Sequence, residues 1–484
     1  MTFDDITKVI SEAISGIPLI IAIMAVGILL TSRLKLLQIT KLGKAFKFMF
    51  SDEEDGKGEV SSFGALCIAL SATIGTGNIV GVATAIAAGG PGALFWMLIA
   101  AFFGMATKYA EGLLAVKYRA IDKDGHILGG PFYYIEKGLG KNFKWLAKMF
   151  AVFGLLAGLL GIGTIAQCNG IAESVQRFAD PDMQNVVSLF GNEYSIAALI
   201  TGAIVTLFAA LVIIGGIKRI SKVSEFVVPF MAILYVVTCL VLVMSNLSAI
   251  PAAFATIIEG AFNPSAVTGG VIGSMIVAMQ KGVARGIFSN ESGLGSAPIA
   301  AAAARTNEPA RQGLVSMTGT FIDTIVVCTM TGLSIVLTGA WQATDAAGNA
   351  LEGVDVTAYA FDKGLWFLPG AVSNFVLMIC LVFFAFTTIL GWNYYSERCL
   401  EYLCGKKELV LKIYKFLYIA AVFIAPYMTA EAVWNIADTF NGLMAFPNLL
   451  ALFLLSGVVV KETKDFIARE KFKDKRKRIA KSEK

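Results

Sequence analysis

The feature that most constrains this chain is a series of apolar segments, each near the ~20 residues that a helix needs to cross a bilayer core. About eleven can be counted, at 16–32, 60–89, 91–116, 145–172, 195–215, 224–246, 268–289, 312–340, 370–396, 409–429 and 432–460. Soluble domains carry roughly 25% charged residues; this chain has 15%, with 56% apolar residues. It therefore reads as an all-α polytopic membrane protein. The first segment, GIPLIIAIMAVGILLTS, is taken as a retained span, because MTFDDITK before it is not basic and no small-residue cleavage pattern accompanies it.

Basic residues accumulate in cytoplasmic loops, and their placement selects an orientation. With the N-terminus outside, the segments 33–59, 117–148, 218–222, 281–311, 398–415 and 461–484 lie inside and hold nearly all of the 40 Lys and Arg. Only Lys8, Arg177 and Lys363 fall outside, and Lys108 falls within a span. The C-terminus is then cytoplasmic, in a multi-pass protein expected in a prokaryotic cytoplasmic membrane. The net charge of +5 comes from the tail KFKDKRKRIAKSEK, read as an anchor beside anionic lipid. No aromatic or glycine interleaving marks it as a nucleic-acid arm. Seven cysteines without metal-ligand spacing and a single histidine, His126, give no expectation of a zinc or haem site, and no cofactor is expected.

Four units follow: 1–59, an N-terminal span and charged connector; 60–248 and 249–460, five spans each; and 461–484, the basic tail. Five is odd, so the two groups enter the membrane from opposite sides, the topology of an inverted repeat found in many secondary transporters. GGPFYYIEKGLG, in the loop 117–144, reads as a short interfacial helix, and GIFSNESGLGSAPIAAAARTNEPAR, at 286–311, as a cytoplasmic loop of caps and turns.

The second span contains LSATIGTGNIVG. Gly75, Gly77 and Gly81 each cost a helix interior ~1 kcal/mol relative to alanine, and Thr73, Thr76 and Asn78 compete for backbone hydrogen bonds, so unwinding is predicted near 73–77. Non-helical backbone at membrane depth survives only where protein buries it or where it lines a polar cavity. Its carbonyls can then bind a cation and the amides of the next half-helix a carboxylate. Close helix packing through small residues is the alternative reading. A dinucleotide loop is excluded by the glycine spacing and the absence of a preceding strand. A second polar cluster favours the first reading. Thr387 and Thr388 interrupt the apolar ninth span just before Gly391, Trp392 and Asn393, and hard cations prefer such oxygen ligands.

SATIGTGN at 71–78, GVARGIFSNESGLGSAPIAAAA at 283–304 and TTILGWNYYSER at 387–398 resemble the alanine or glycine:cation symporter family, whose members carry a LeuT-type fold. The resemblance covers nearly the whole chain. It implies a peripheral first helix plus a 5+5 inverted repeat with broken helices. It further implies a sodium site from the carbonyls of Ser71, Ile74 and Phe384 and the hydroxyls of Thr387 and Thr388. The amides of Thr76 and Gly77 would meet a substrate carboxylate, and the Thr73 carbonyl its ammonium group. Trp392 would wall the pocket, leaving room for only a small neutral amino acid such as alanine or glycine. The seventh span would be the second broken helix, with its break at Gly282 and Val277, Ala278 and Gln280 near the substrate.

Gln167, which can both donate and accept hydrogen bonds, is either a substrate contact or an interhelical tie. Asn78 touches the substrate, a second ion or only neighbouring backbone. Asp323 is an acid inside a span, where ionisable groups are costly and usually functional. It reads either as part of a second cation or proton site or as the structural partner of Lys281 or Arg285. Lys108 and Glu111, three apart, read as an intrahelical pair near the cytoplasmic surface. Gly81 stands where some LeuT-type members have an outer-gate arginine. The expected function is sodium-coupled uptake of a small neutral amino acid by alternating access, without covalent chemistry. Proton coupling is the nearer rival and an ion channel the more distant one. An enzyme is not expected, since clustered histidines, carboxylates or cysteines are missing.

Overall fold

The computed structural model describes residues 3–51, 53, 55–189, 192–262, 275–427 and 430–482. Among them nine helices are long and apolar enough to span a membrane, and a bent pair makes a tenth. The start of the seventh expected span, 268–274, lies outside the described residues.

Helix α1 (Phe3–Ser15) leads into α2 (Ile17–Arg33). Helix α3 (Ser62–Thr73) begins where Ser61 accepts a hydrogen bond from the Gly64 amide at 2.8 Å. It ends at Ile74, whose backbone is extended. A π-helical turn over Gly77–Gly81 then continues as α4 (Val82–Gly89), and the two halves are bent by 56°. The interruption falls inside the predicted 73–77 window. The predicted fourth span is also interrupted, into α6 (Lys144–Leu160) and α7 (Ile165–Ala179), after the long α5 (Gly92–Tyr118). Helices α8 (Ile196–Ile213) and α9 (Gly216–Ser245) complete the first group. The expected interfacial helix is present at Pro131–Gly138. A hairpin of Val186–Leu189 with Asn192–Ser195 and an apolar helix at Ile250–Phe262 were not expected.

In the second half, α10 (Met275–Asn290) is followed by a buried turn and α11 (Ala297–Ala302). Helix α12 (Pro309–Thr320) passes through a π-helical stretch, Phe321–Cys328, into α13 (Thr329–Leu337). Helices α14 (Gly370–Cys404), α15 (Glu408–Ile424) and α16 (Ala430–Ser482) close the chain. The basic tail is therefore helical over its described part, continuous with the last span.

Two sequence expectations need correction here. Helix α10 runs through Gly282 without a break, because that glycine serves packing: a Cβ there would stand 2.1 Å from the Ala93 carbonyl oxygen of α5. The interruption comes at 291–296 instead. Of the expected cytoplasmic loop 286–311, residues 286–304 are all buried, and exposure begins at Arg305. Burial sorts the helices: α5, α10, α12 and α14 form the interior, while α8 and α9 expose Ile204, Leu207, Phe208, Phe226 and Ile233. So much exposed apolar surface on long helices belongs against lipid.

Candidate functional site

The first break gathers side chains from three other parts of the chain. Ile74 has left the helical conformation, so its carbonyl meets the hydroxyl of Thr388 on α14 at 3.3 Å. That hydroxyl is also 3.0 Å from the Phe384 carbonyl, as is the hydroxyl of Thr387. The side chain of Ser71 donates to its own helix, at Ile68, and lies against α14: a Cβ at Gly391 would stand 2.8 Å from it. Ser71, Ile74, Phe384, Thr387 and Thr388 are thus all buried at one crossing of α3 and α14. Hydroxyls and freed carbonyls are the oxygen donors a hard cation takes.

The amide side of the break is held by amide side chains. Gln167 of α7 accepts a hydrogen bond from the Thr76 N–H at 3.2 Å and donates to the Ile162 carbonyl. Asn78 accepts from the Gly75 N–H at 2.9 Å. Gly75 itself is required by close approach, since a Cβ there would stand 2.6 Å from the Thr388 hydroxyl and 3.0 Å from the Gln167 oxygen. The Thr76 hydroxyl is buried with no hydrogen-bond partner among the described residues, a condition that buried polar groups rarely tolerate. Thr73 bonds its own helix at Ala69.

Asp323 lies on the other side of Asn78. The Asn78 amide donates to its carboxylate at 2.7 Å, and the hydroxyls of Ser289 and Thr324 donate at 3.0 and 2.7 Å. Asp323 is fully buried and joins the first break to the end of α10. The alternative partners named from sequence are elsewhere: Arg285 is 3.9 Å from Asp438 on α16. Lys108 and Glu111 are also buried rather than superficial. Glu111 takes its hydrogen bond from Asn448, and the Lys108 ammonium has no hydrogen-bond partner among the described residues.

Val277, Ala278, Gln280 and Gly282 are not brought to the break. Ala278 and Gly282 pack near Gly89 and Ala93, and Gln280 lines a separate cavity. The part of α10 that reaches Gly77 is Phe288 and Ser289: a Cβ at Gly77 would stand 3.4 Å from the Phe288 ring. At 1.5 Å rise per residue, Phe288 lies about two turns beyond Gln280 along α10. Trp392 is fully buried, and its indole N–H donates to Glu291 at 2.9 Å in the second break. Glu291 adopts φ +55° and also accepts from Ser296. Ser289 and Glu291 were missed. The repeat of Gly-x-Gly at Gly293 and Gly295, echoing Gly75 and Gly77, was the available signal.

The end of the fold where α3 begins is tied shut. Glu59 and Val60 pair with Ala303 and Arg305 through backbone bonds, and the Arg119 guanidinium donates to the carbonyls of Lys57, Ala302, Ala304 and Thr306. His126 sits between Glu401 and Glu59, 2.8 Å from each, with Arg398 against both acids. The hydrogen bonds to Glu401 and then Glu59 raise the imidazole to about 9, against burial and the nearby Arg398. The two acids therefore favour the charged imidazole in this cluster.

Comparisons with known proteins bear on the family and the fold. A family profile described as the sodium:alanine symporter family matches residues 1–481. An uncharacterized transporter of Haemophilus influenzae is 53% identical, with 97% of this chain and 98% of the relative covered. The sodium/alanine symporter AgcS of Methanococcus maripaludis is 47% identical over 96% of this chain and 98% of its own length. The crystal structure of MhsT in complex with L-phenylalanine superposes with a TM-score of 0.55 at 14% identity, covering 84% of this chain and 98% of that one. That likeness is one of fold, of the LeuT type.

Proposed function

The chain belongs to the sodium:alanine symporter family, and from that premise we propose that it couples inward sodium movement to uptake of alanine, glycine or a similarly small neutral amino acid. At the coarser level it is a multi-pass membrane transporter for cation-coupled amino-acid movement, not an enzyme.

The observation that carries the reading is the meeting of the Ile74 carbonyl, the Phe384 carbonyl and the Thr387 and Thr388 hydroxyls at the first break. In the mechanism proposed, a sodium ion takes these oxygens together with the Ser71 carbonyl, and the hydroxyl protons rotate away. The ion pins α14 to the carbonyl end of the break. The Thr76 and Gly77 amides, the Thr76 hydroxyl and Gln167 then form the amino-acid site, with the Thr73 carbonyl toward the ammonium group. Gln167 exchanges its bond to the Thr76 amide for one to the substrate. Ion and amino acid share one backbone break, so each favours binding of the other. Trp392 and Gly77 would limit side-chain size, and Val277, Ala278, Gln280 and Gly282 would act along the entry path.

Movement of the repeats 60–248 and 249–460 about this point, with the N-terminus outside and the C-terminus cytoplasmic, would alternate access. The tied end at Glu59, Arg119 and His126 is then the inner mouth. One observation favours a second reading, coupling to protons: Asn78 links the break to the buried carboxylate of Asp323, which could carry a proton or serve a second ion.

Uptake of alanine into proteoliposomes under separately imposed sodium and proton gradients tests the reading. A sodium gradient alone should drive accumulation, and Thr387→Ala and Thr388→Ala should weaken it. Accumulation that follows only the proton gradient and survives both substitutions would replace the sodium site with the Asp323 reading.

A further inference from the structure

Lys108, on α5, is the one lysine or arginine buried among the described residues, at 3% exposure. Its charge acts on three buried acids: Glu111 on the same helix, Glu291 at the second break and Asp323 beside the first. A buried ion is ordinarily fixed by hydrogen bonds, which replace the hydration it has lost. The Lys108 ammonium has no hydrogen-bond partner among the described residues. Neither has one oxygen of Glu111, whose other oxygen accepts from Asn448 at 2.7 Å. Residues three apart on a helix share a face, so ammonium and carboxylate are neighbours left unjoined.

Beside the ammonium there is room to move. A cavity of about 10 Å³, close to what a single water needs, is lined by Lys108, Gln312 and Gly319 and by Thr73 and Asn290. Those last two are the final residues of α3 and α10. Both half-helices thus turn their C-terminal ends to the cavity, and such ends carry the partial negative charge of unpaired carbonyls. Gln312 gives an independent indication: it is 1% exposed, and its side-chain oxygen has no hydrogen-bond partner among the described residues. The cavity is therefore walled by acceptors without donors, and a cation stands at its edge. Asn290 connects it to the first break, donating to Thr324 at 3.0 Å, while Thr324 donates to Asp323 at 2.7 Å.

We propose that Lys108 is a tethered cation that moves between two stations as the carrier fills and empties. The proposal rests on the transport reading above. With sodium and amino acid bound, the substrate ammonium lies at the Thr73 carbonyl, and like charge keeps Lys108 back against the open oxygen of Glu111. When both ligands leave, the end of α3 loses its positive partners. The Lys108 ammonium then advances into the cavity, to the acceptors at Thr73, Asn290 and Gln312. The unloaded carrier reorients without an uncompensated helix end inside the membrane, where unsatisfied backbone is costly. Lys108 is thus a positioning residue for the return step and touches neither sodium nor substrate.

Proteoliposomes holding the full-length chain separate the two halves of the cycle. Net sodium-driven uptake of alanine requires the empty carrier to return; exchange of external radiolabelled alanine for internal alanine, with sodium equal on both sides, does not. Lys108→Gln should lower net uptake about ten- to a hundredfold, as for loss of one charge-assisted contact, and leave exchange at the wild-type rate. Gly319→Ala keeps the charge and fills the cavity instead. Its Cβ would stand 3.5 Å from Leu66 and 3.9 Å from Leu70, ordinary contacts that the fold accepts, and it should give the same split. Where Lys108→Gln does not fold, Gly319→Ala decides alone. A Gly319→Ala chain indistinguishable from the wild type, or either variant folded but with uptake and exchange falling together, overturns the proposal and leaves the transport reading standing. So does a Lys108→Gln chain with undiminished net uptake. A wild type that neither takes up nor exchanges alanine under any gradient would overturn both.

Discussion

The two interruptions of the core helices are built from similar glycine-rich sequence and held in different ways. The first, at 74–76, is closed by distant side chains, with Gln167 on the Thr76 amide and Thr388 on the Ile74 carbonyl. The second, at 291–296, is held largely by itself. Ser292 bonds Asn290, Ser296 bonds Glu291, and Gly293 and Gly295 take φ of +91° and +85°, with Asn448 and Trp392 bracing from outside. Side-chain hydroxyls and amides can exchange one partner for another; a turn fixed by left-handed backbone cannot. The first break is therefore the one suited to taking ligands, and the second is the one suited to bearing load.

Four experiments sharpen or break that contrast. Gly75→Ala drives a Cβ against Thr388 and Gln167. Overpacking of about 1–3 kcal/mol should cut sodium-driven uptake about ten- to a hundredfold while the protein remains folded. Thr388→Ala should raise the sodium concentration for half-maximal uptake about tenfold through loss of one ligand, and Thr387→Ala should follow it. At the second break, Gly295→Ala meets Phe150 at 2.7 Å in a left-handed conformation. It should cost about 1–3 kcal/mol of stability, read as a lower thermal midpoint, with the sodium dependence of the surviving protein unchanged. A shift in sodium dependence there, equal to that of Thr388→Ala, would erase the distinction between the breaks.

The smallest effect concerns the tied end. His126 has a folded value of about 9 against 6.5 ordinarily, so its contribution is complete below about 6.5 and is lost as pH rises through about 9. The thermal midpoint should fall between pH 7 and pH 10 by roughly 2–4 °C per kcal/mol lost. His126→Gln should abolish that part of the pH dependence.

The first break was legible in sequence because three glycines and competing polar side chains within one apolar span leave little else for the backbone to do. Thr387 and Thr388 stood out for the same reason, as paired hydroxyls in an apolar run. The second break was misplaced because Gly282, the more conspicuous glycine, is used for contact with Ala93, a tertiary fact with no local signature. The buried turn at 291–296 looked like surface loop because serine, asparagine and glycine carry the same signal wherever the turn lies. Burial of Lys108 and Glu111 was equally hidden: a pair three apart on a helix indicates a shared face, not what covers it.

The claim that ion and amino acid share the first break is tested most directly by the sodium dependence of alanine affinity. The affinity of the purified wild-type chain should tighten as sodium rises, and the affinity for sodium should tighten by the same factor as alanine rises, with both effects lost in Thr388→Ala. An alanine affinity that is indifferent to sodium, in a chain that binds both, would contradict the shared site.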